Sequence, residues 1–164
     1  MLSNSNSRAA EPSGVTAAMM SNTPAAATPG TFTPATQDLG PRACLIPGNV
    51  AGWFEALRVH GTRSPRELFS AAIRFAEEGF PLHPLNVRLI EQGLPRLNES
   101  GLAIFGNVPL RLGAALRQPD LARSLREIAD QGADYFYRGP LAHQIADYVQ
   151  SQGGFLSRAD LAGY

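Results

Sequence analysis

Residues 61–82 read Gly-Thr-Arg-Ser-Pro-Arg-Glu-Leu-Phe-Ser-Ala-Ala-Ile-Arg-Phe-Ala-Glu-Glu-Gly-Phe-Pro-Leu and predict one helix with both ends marked. Ser64 and Glu67 have the spacing of a capping box, in which each side chain accepts a hydrogen bond from the other residue's backbone N–H. Pro65 suits the first helical position, because an N–H there would have no partner within the helix. The helix is therefore predicted to begin at Pro65.

The same stretch predicts where the helix ends and which side of it is apolar. Gly79 followed by Pro81 is a typical stop signal, so the predicted span is residues 65–78. Apolar residues recur along it at helical spacing, at Leu68, Ala72, Phe75 and Ala76. A capped amphipathic helix occurs in many soluble proteins, so these features indicate a fold class and not a function.

The residue sequence of this stretch resembles the large-subunit region of gamma-glutamyltranspeptidases. Further stretches resemble segments of the same family and occur in the same order. They are Pro24-Ala-Ala-Ala-Thr-Pro29, Ile46-Pro-Gly-Asn-Val-Ala-Gly52, Leu116-Arg-Gln-Pro-Asp-Leu121, Gly132-Ala-Asp-Tyr-Phe-Tyr-Arg-Gly139 and Gly153-Gly-Phe-Leu-Ser-Arg-Ala-Asp-Leu-Ala-Gly-Tyr164. The resemblance covers residues 23–164. It is specific because of the order and spacing of the segments, since no single segment decides it.

Residues that match the family's motifs are expected from the resemblance to have structural roles. These residues are Pro24, Pro47, Gly48, Gly52, Gly61, Glu67, Gly79, Phe80, Gln118, Pro119, Asp120, Phe136, Tyr137, Gly139, Gly153, Gly154, Asp160 and Tyr164. From the residue types alone, Asp160 with Ser157 is predicted to cap a short helix and not to form an acid–base pair.

The resemblance implies a fragment of an N-terminal-nucleophile hydrolase, a layered αββα sandwich whose helical large-subunit part is this chain, mainly α by itself. Members of the family are made as longer precursors that cut themselves and expose a Thr. Its hydroxyl attacks a gamma-glutamyl amide while its own amine acts as base. That Thr lies in a Thr-Thr-His-like motif, and none of the seven Thr residues here is followed by Thr-His. No catalytic residue is therefore expected within this polypeptide.

The resemblance also implies an Arg four residues before the Pro of the Ala-Pro segment, where a planar guanidinium grips the substrate's α-carboxylate. Counting back from Pro24 gives Met20, followed by Ser21 where the family has an acid. Three explanations stay open: a shifted alignment, a substrate that is not a gamma-glutamyl compound, or a replaced upstream sequence. The abrupt start of the resemblance at Thr23 favours the last. Residues 1–22 are therefore predicted to be a disordered or unrelated tract.

Composition narrows the classes of function. The 14 basic residues are all Arg and balance 14 acidic ones. A chain without Lys has no amine for Schiff-base chemistry and no Lys general base. The interspersed charges argue against nucleic-acid binding. No run approaches the ~20 apolar residues of a membrane span. No signal peptide is visible, although many relatives are exported, so the compartment is not predicted.

Residues that could carry other chemistry have ordinary interpretations. Cys44 lies alone in an apolar run and is predicted to be a small core residue. His60, His83 and His143 lack the spacing of metal ligands, so neither a metal nor a cofactor is expected.

Outside the opening stretch, turn-forming residues and apolar spacing predict a mainly α chain. Helices are expected at residues 50–60, 84–97, 119–132 and 140–152, with an extra turn at 133–137 and a short helix after Ser157. Short strands are expected at residues 43–46 and 102–105.

Two functions of different classes remain open. The first is a fragment of a gamma-glutamyltranspeptidase-like enzyme acting on glutathione or a related amide. Its partners would be the rest of the large subunit and a small catalytic subunit. The second is a non-catalytic α-helical interaction module, or the remnant of a gene.

Overall fold

The computed structural model of the chain describes residues 24–27 and 39–164. The tract at residues 1–22, including Met20, lies outside the described residues. The chain divides into two compact units. Among the described residues, 24–27, 39–48 and 146–164 belong to the first unit, and residues 49–145 form the second. Helix prevails throughout the described part, as the resemblance implied.

Regular structure in the second unit begins one residue before the predicted position. In chain order its elements are α1 (Asn49–His60), α2 (Pro65–Glu78), β1 (Phe80–Pro81), α3 (Pro84–Gly93), a 3₁₀ turn (Leu94–Arg96), α4 (Glu99–Phe105), β2 (Ala115–Leu116), α5 (Pro119–Gln131) and α6 (Ala133–Tyr137). Helix α7 (Pro140–Ser151) begins in this unit and ends in the first. The first unit also contains a 3₁₀ turn (Pro41–Ala43) and α8 (Arg158–Ala162).

Helix α2 has the predicted caps. The Ser64 hydroxyl accepts from the Glu67 N–H at 3.3 Å, and the Ser64 N–H donates to Glu67 Oε2 at 2.8 Å. Hydrogen bonds from the Ser64 backbone and hydroxyl lower the pKa of Glu67. At the other end Gly79 has φ +92°, and its N–H donates to the Phe75 carbonyl at 3.1 Å. That positive φ favours glycine and explains why the helix stops here.

The buried side of α2 is not the predicted apolar repeat. Helices α2 and α5 pack against each other, and Phe69 and Ala76 are the buried residues of α2. Leu68 and Phe75 are both 48% exposed. Ala76 belongs to both the predicted repeat and the buried side, whereas Leu68 and Phe69 lie about 100° apart on the helix, so spacing alone cannot decide which of these two is buried.

A small hydrophobic cluster forms around the two strands. Phe80 pairs with Leu116 and Pro81 with Ala115 in antiparallel register. Two further backbone bonds join Leu82 to Gly113 and Ala114. The buried members of the cluster are Leu82, Ala114 and Leu116, and the partly buried side chains packed on them are Phe80, Val87, Ile90, Phe105 and Val108.

Three local predictions were wrong. Residues 102–105 belong to helix α4, because the Asn98 side chain caps it by accepting from the Gly101 N–H at 3.0 Å. Residues 43–46 form no strand: Ala43 ends a 3₁₀ turn, and in the described part of the chain no strand pairs with the extended backbone at Cys44. The strand at residues 115–116 was missed, since the only strands predicted were at residues 43–46 and 102–105.

The remaining helices agree with the prediction to within a few residues. Helix α3 ends at Gly93 and continues as a 3₁₀ turn because Pro95 cannot donate an N–H to an α-helix. Several large apolar side chains of these helices are exposed, namely Leu85, Leu89, Leu121 and Tyr148. The buried positions on α5 and α7 are mostly Ala: Ala122, Ala129, Ala142 and Ala146.

We expect Leu82→Ala to lower the free energy of unfolding of the second unit by about 2–5 kcal/mol, because the cavity left in the cluster has no side chain to fill it. Leu82 is 1% exposed, whereas Leu85 is 58% exposed and provides the matched control. Leu85→Ala should change the unfolding free energy by less than about 0.5 kcal/mol. Urea titration followed by circular dichroism measures both variants. Equal losses would show that the cluster does not contribute as the structure indicates.

Candidate functional site

A turn at residues 24–27 is held against the helix at the end of the chain. The Ala27 N–H donates to the Pro24 carbonyl at 2.9 Å and closes the turn. The Ala25 N–H donates to Oδ1 of Asp160 at 2.8 Å. Pro24 is buried and Ala25 is exposed. The turn directly follows the segment in which the resemblance places a substrate-binding Arg.

The carboxylate of Asp160 also caps α8, as predicted. Its Oδ2 accepts from the Ser157 N–H at 2.8 Å and from the Ser157 hydroxyl at 2.6 Å. The Ser157 hydroxyl in turn accepts from the Asp160 N–H at 3.1 Å. Partial burial opposes ionisation of the carboxyl, but the hydrogen bonds from Ala25 and Ser157 outweigh it and lower the pKa of Asp160.

The Gly153–Gly154 motif lets two parts of the first unit approach closely. Gly153 has φ +80°, which favours glycine. A Cβ on Gly154 would lie 2.5 Å from the Pro41 carbonyl oxygen and 2.4 Å from Cγ1 of Val149. Arg42 donates from Nε to the Gly153 carbonyl at 3.3 Å and lies over the Phe155 ring. The motif therefore serves backbone packing.

Tyr137 and Phe136 connect α6 to α1. The Tyr137 hydroxyl accepts from the Ala51 N–H at 3.1 Å, and this N–H belongs to the first turn of α1, where it has no partner within the helix. Tyr137 is buried, and its ring packs edge-on against Phe136. Gly139 follows α6 so closely that a Cβ would lie 2.7 Å from the Tyr135 carbonyl oxygen.

The motif Gln118–Pro119–Asp120 starts α5 and ties it to α2. The Gln118 N–H donates to the Ala76 carbonyl at 2.7 Å, and Pro119 is the first residue of α5. Asp120 is exposed in the first turn, where the helix dipole favours an acid, and pairs with Arg123. These residues have structural roles.

The remaining motif residues lie at turns and chain ends. Gly61 follows α1, and a Cβ there would lie 2.3 Å from the Leu57 carbonyl oxygen. Pro47 and Gly48 precede α1, and Gly52 lies exposed within it. The Tyr164 N–H donates to the Leu161 carbonyl at 3.2 Å.

Where the described residues bring a hydroxyl and a carboxylate together, at Ser64 with Glu67 and at Ser157 with Asp160, the pair caps a helix. The described residues contain no group of three or more His, Cys, Asp or Glu that could hold a metal ion. His83 caps α3: its Nδ1 accepts from the Leu85 N–H at 3.5 Å, and its own N–H donates to the Asn86 side chain at 3.1 Å. This cap was missed in the sequence, although Pro84 after His83 marks a helix start. Over the same residues, no helix is long and apolar enough to cross a bilayer.

Two grooves flank α2. An apolar groove of about 380 Å³ lies between α1, α2 and α5 and is lined by Trp53, Ala56, Leu57, Leu68, Phe69, Ala72 and Leu125. None of these side chains can transfer a proton. A more polar groove of about 480 Å³ runs between α2 and α5, and two ion pairs cross it, Arg66 with Asp130 and Arg126 with Glu77. The two grooves therefore give no evidence of a catalytic centre.

Comparison with known proteins identifies a family to which this chain is similar. A family model described as gamma-glutamyltranspeptidase matches residues 7–164. The acylase ACY 1 proenzyme of Pseudomonas sp. (strain SE83) is 38% identical over 130 residues, 77% of this chain and 23% of the relative. The glutathione hydrolase proenzyme of Bacillus subtilis (strain 168) is 35% identical over 122 residues, 73% and 21% of the two chains. The chain thus spans about a quarter of the length of these relatives.

Solved structures agree with the sequence comparison. The gamma-glutamyltranspeptidase of Helicobacter pylori is similar with a TM-score of 0.83 and 29% identity, over 88% of this chain and 45% of that one. The cephalosporin acylase of Bacillus halodurans is similar with a TM-score of 0.76 and 28% identity, over 88% and 30%.

Proposed function

Because the chain belongs to the gamma-glutamyltranspeptidase family, we propose that it is the helical large-subunit segment of an amide hydrolase or transferase. The observation that supports this most is the placement of the motif residues. Most of them cap helices, close turns or allow backbones to meet, and the two that bind a serine hydroxyl, Glu67 and Asp160, do so as helix caps. A scaffold of this kind must receive its catalytic Thr from another segment, which is the role we propose for a small subunit.

The reaction we propose is hydrolysis or transfer of a gamma-glutamyl group, from glutathione or a related amide. The chain supplies no catalytic group to it, since none of its Thr residues lies in a Thr-Thr-His motif. Met20 stands at the position of the carboxylate-binding Arg, and this difference affects which substrate can be proposed. The relatives include proteins named acylase and oxamate amidohydrolase as well as glutathione hydrolases, so family membership alone does not determine the substrate.

A second candidate is a non-catalytic interaction module. It is favoured by the large apolar side chains exposed on α1 and α2, such as Trp53 and Phe75. The same exposure is expected if this surface is covered by the rest of a large subunit. The two candidates therefore differ in whether the chain can support self-cleavage and catalysis when joined to a Thr-bearing segment.

A chimeric precursor tests the proposal. Residues 7–164, which the family model matches, would replace the corresponding segment of the Escherichia coli glutathione hydrolase proenzyme, which is 37% identical to this chain over 124 residues. We expect the chimera to cut itself into two subunits, visible on a denaturing gel, because the helical scaffold fits the sandwich. A matched chimera with Gly154→Val, which places a branched side chain against the Pro41 carbonyl, should cut itself less. A soluble, folded chimera that stays uncut would favour the interaction module instead.

A further inference from the structure

The two oxygens of the Asp160 carboxylate accept hydrogen bonds from different parts of the chain. Oδ2 serves the cap of α8 through Ser157, while Oδ1 accepts from Ala25, which lies 135 residues earlier in the chain. A capping box requires only the first of these sets. The bond to Ala25 therefore adds nothing to the cap, and its effect falls on the turn at residues 24–27.

We propose that Asp160 is a positioning residue, whose carboxylate fixes the Pro24–Ala27 turn against α8. In the sequence this turn follows position 20, where the family resemblance expects a carboxylate-binding Arg and this chain has Met. The hydrogen bond from the Ala25 N–H to the Asp160 carboxylate is called the clamp below. Any effect of the clamp on substrate binding rests on the proposed function, whereas the clamp itself does not.

The composition of the turn explains why a carboxylate is needed. Ala25, Ala26 and Ala27 have little apolar surface to bury, so packing on these residues cannot hold the turn in place. A backbone N–H bound to an ionised carboxylate is a stronger tie than a bond between neutral groups, and at 2.8 Å it is well formed. Burial of Pro24 fixes one end of the turn, and Asp160 fixes the residue that follows.

The charged groups near Asp160 in the first unit are engaged elsewhere. Arg158, on the same helix, binds both carboxylate oxygens of Asp147 on α7 at 2.6–3.0 Å. Arg42 donates to Gly153 and lies over Phe155. The hydrogen bonds from Ala25 and Ser157 thus outweigh burial and lower the pKa of Asp160 from its ordinary 3.8. The clamp should be complete above that value and be lost as the pH falls through the lowered pKa.

Amide hydrogen exchange of the full chain, followed by NMR, tests the clamp. In Asp160→Ala the Ala25 amide should exchange about tenfold faster or more, because its charged acceptor is gone. Ser157→Ala is the matched control: it removes the hydroxyl of the cap but leaves Oδ1 for Ala25. We expect this control to expose the Asp160 amide and to leave Ala25 protected.

Equal exchange at Ala25 in the wild type and Asp160→Ala, or equal acceleration in both variants, would overturn the proposal. If Asp160→Ala does not fold, acid titration of the wild type decides the matter. The Ala25 amide proton should then shift with the same midpoint as the Asp160 carboxyl carbon, and an Ala25 signal that does not titrate would refute the clamp. Neither measurement needs activity, so failure of the chimera and failure of the clamp are distinguishable.

Discussion

Purified residues 1–164 are expected to release no product from a gamma-glutamyl amide with a chromogenic leaving group, at any protein concentration that can be reached. The reaction needs a nucleophile activated by an adjacent base. No motif of this sequence supplies an N-terminal Thr, and the serine–carboxylate pairs of the described residues, Ser64–Glu67 and Ser157–Asp160, cap helices. The expected loss is complete and not partial, because an absent nucleophile cannot be replaced by better binding.

The control for this prediction is a glutathione hydrolase purified through the same steps, which must be active in the same assay. Thr62 is the one Thr outside the first 36 residues of the chain, and it precedes the cap of α2. A Thr62→Ala variant would therefore show whether any trace activity belongs to the chain. Turnover that copurifies with the protein at a constant ratio would mean that the chemistry resides in residues we have assigned to the scaffold.

The parts of the fold that could be predicted are those encoded by neighbouring residues. Ser64, Pro65, Glu67 and Gly79 lie within one short stretch, and each acts on backbone groups a few residues away. The same holds for Ser157 and Asp160. Such local signals define where a helix begins and ends whatever packs against it, which is why these boundaries agree with the structure.

What could not be predicted depends on partners that are distant in sequence. The side of α2 that is buried is set by α5, so the exposed Leu68 and the buried Phe69 cannot be told apart by spacing. The strand at 102–105 was predicted because the run Leu102–Phe105 is apolar. The Asn98 side chain caps a helix there instead, and this cap was missed in the sequence.

At the candidate site, too, local roles could be predicted from the sequence, whereas contacts between distant residues could not. Asp160 as a cap follows from its spacing to Ser157, but its bond to Ala25 joins residues at opposite ends of the sequence. Tyr137 was expected to be structural from the resemblance, yet its acceptance of the Ala51 N–H follows only from the packing of α6 on α1. Long-range hydrogen bonds are therefore the part of this site for which a structure was required.

The isolated chain is expected to associate with itself and to unfold with weak cooperativity. Some large apolar side chains of the helices are buried, such as Phe69 and Val149. Others are exposed in their place: Trp53 is 43% exposed, and Leu68, which lines the same apolar groove, is 48% exposed. Covering four such half-exposed side chains would gain roughly 3–6 kcal/mol, at about 1.5–3 kcal/mol for each full burial. That gain is comparable to the net stability of a small domain.

Sedimentation velocity over a range of concentrations, together with binding of a hydrophobic dye, measures this tendency. Leu68→Glu should shift the chain towards monomer and reduce dye binding, because it places a charge in the apolar groove beside Trp53. Leu112→Glu is the matched control, since Leu112 is 68% exposed but does not line that groove. A wild-type monomer with a sharp unfolding transition and no dye binding would show that these residues are a self-sufficient domain. Equal effects of the two variants would place the association on a different surface.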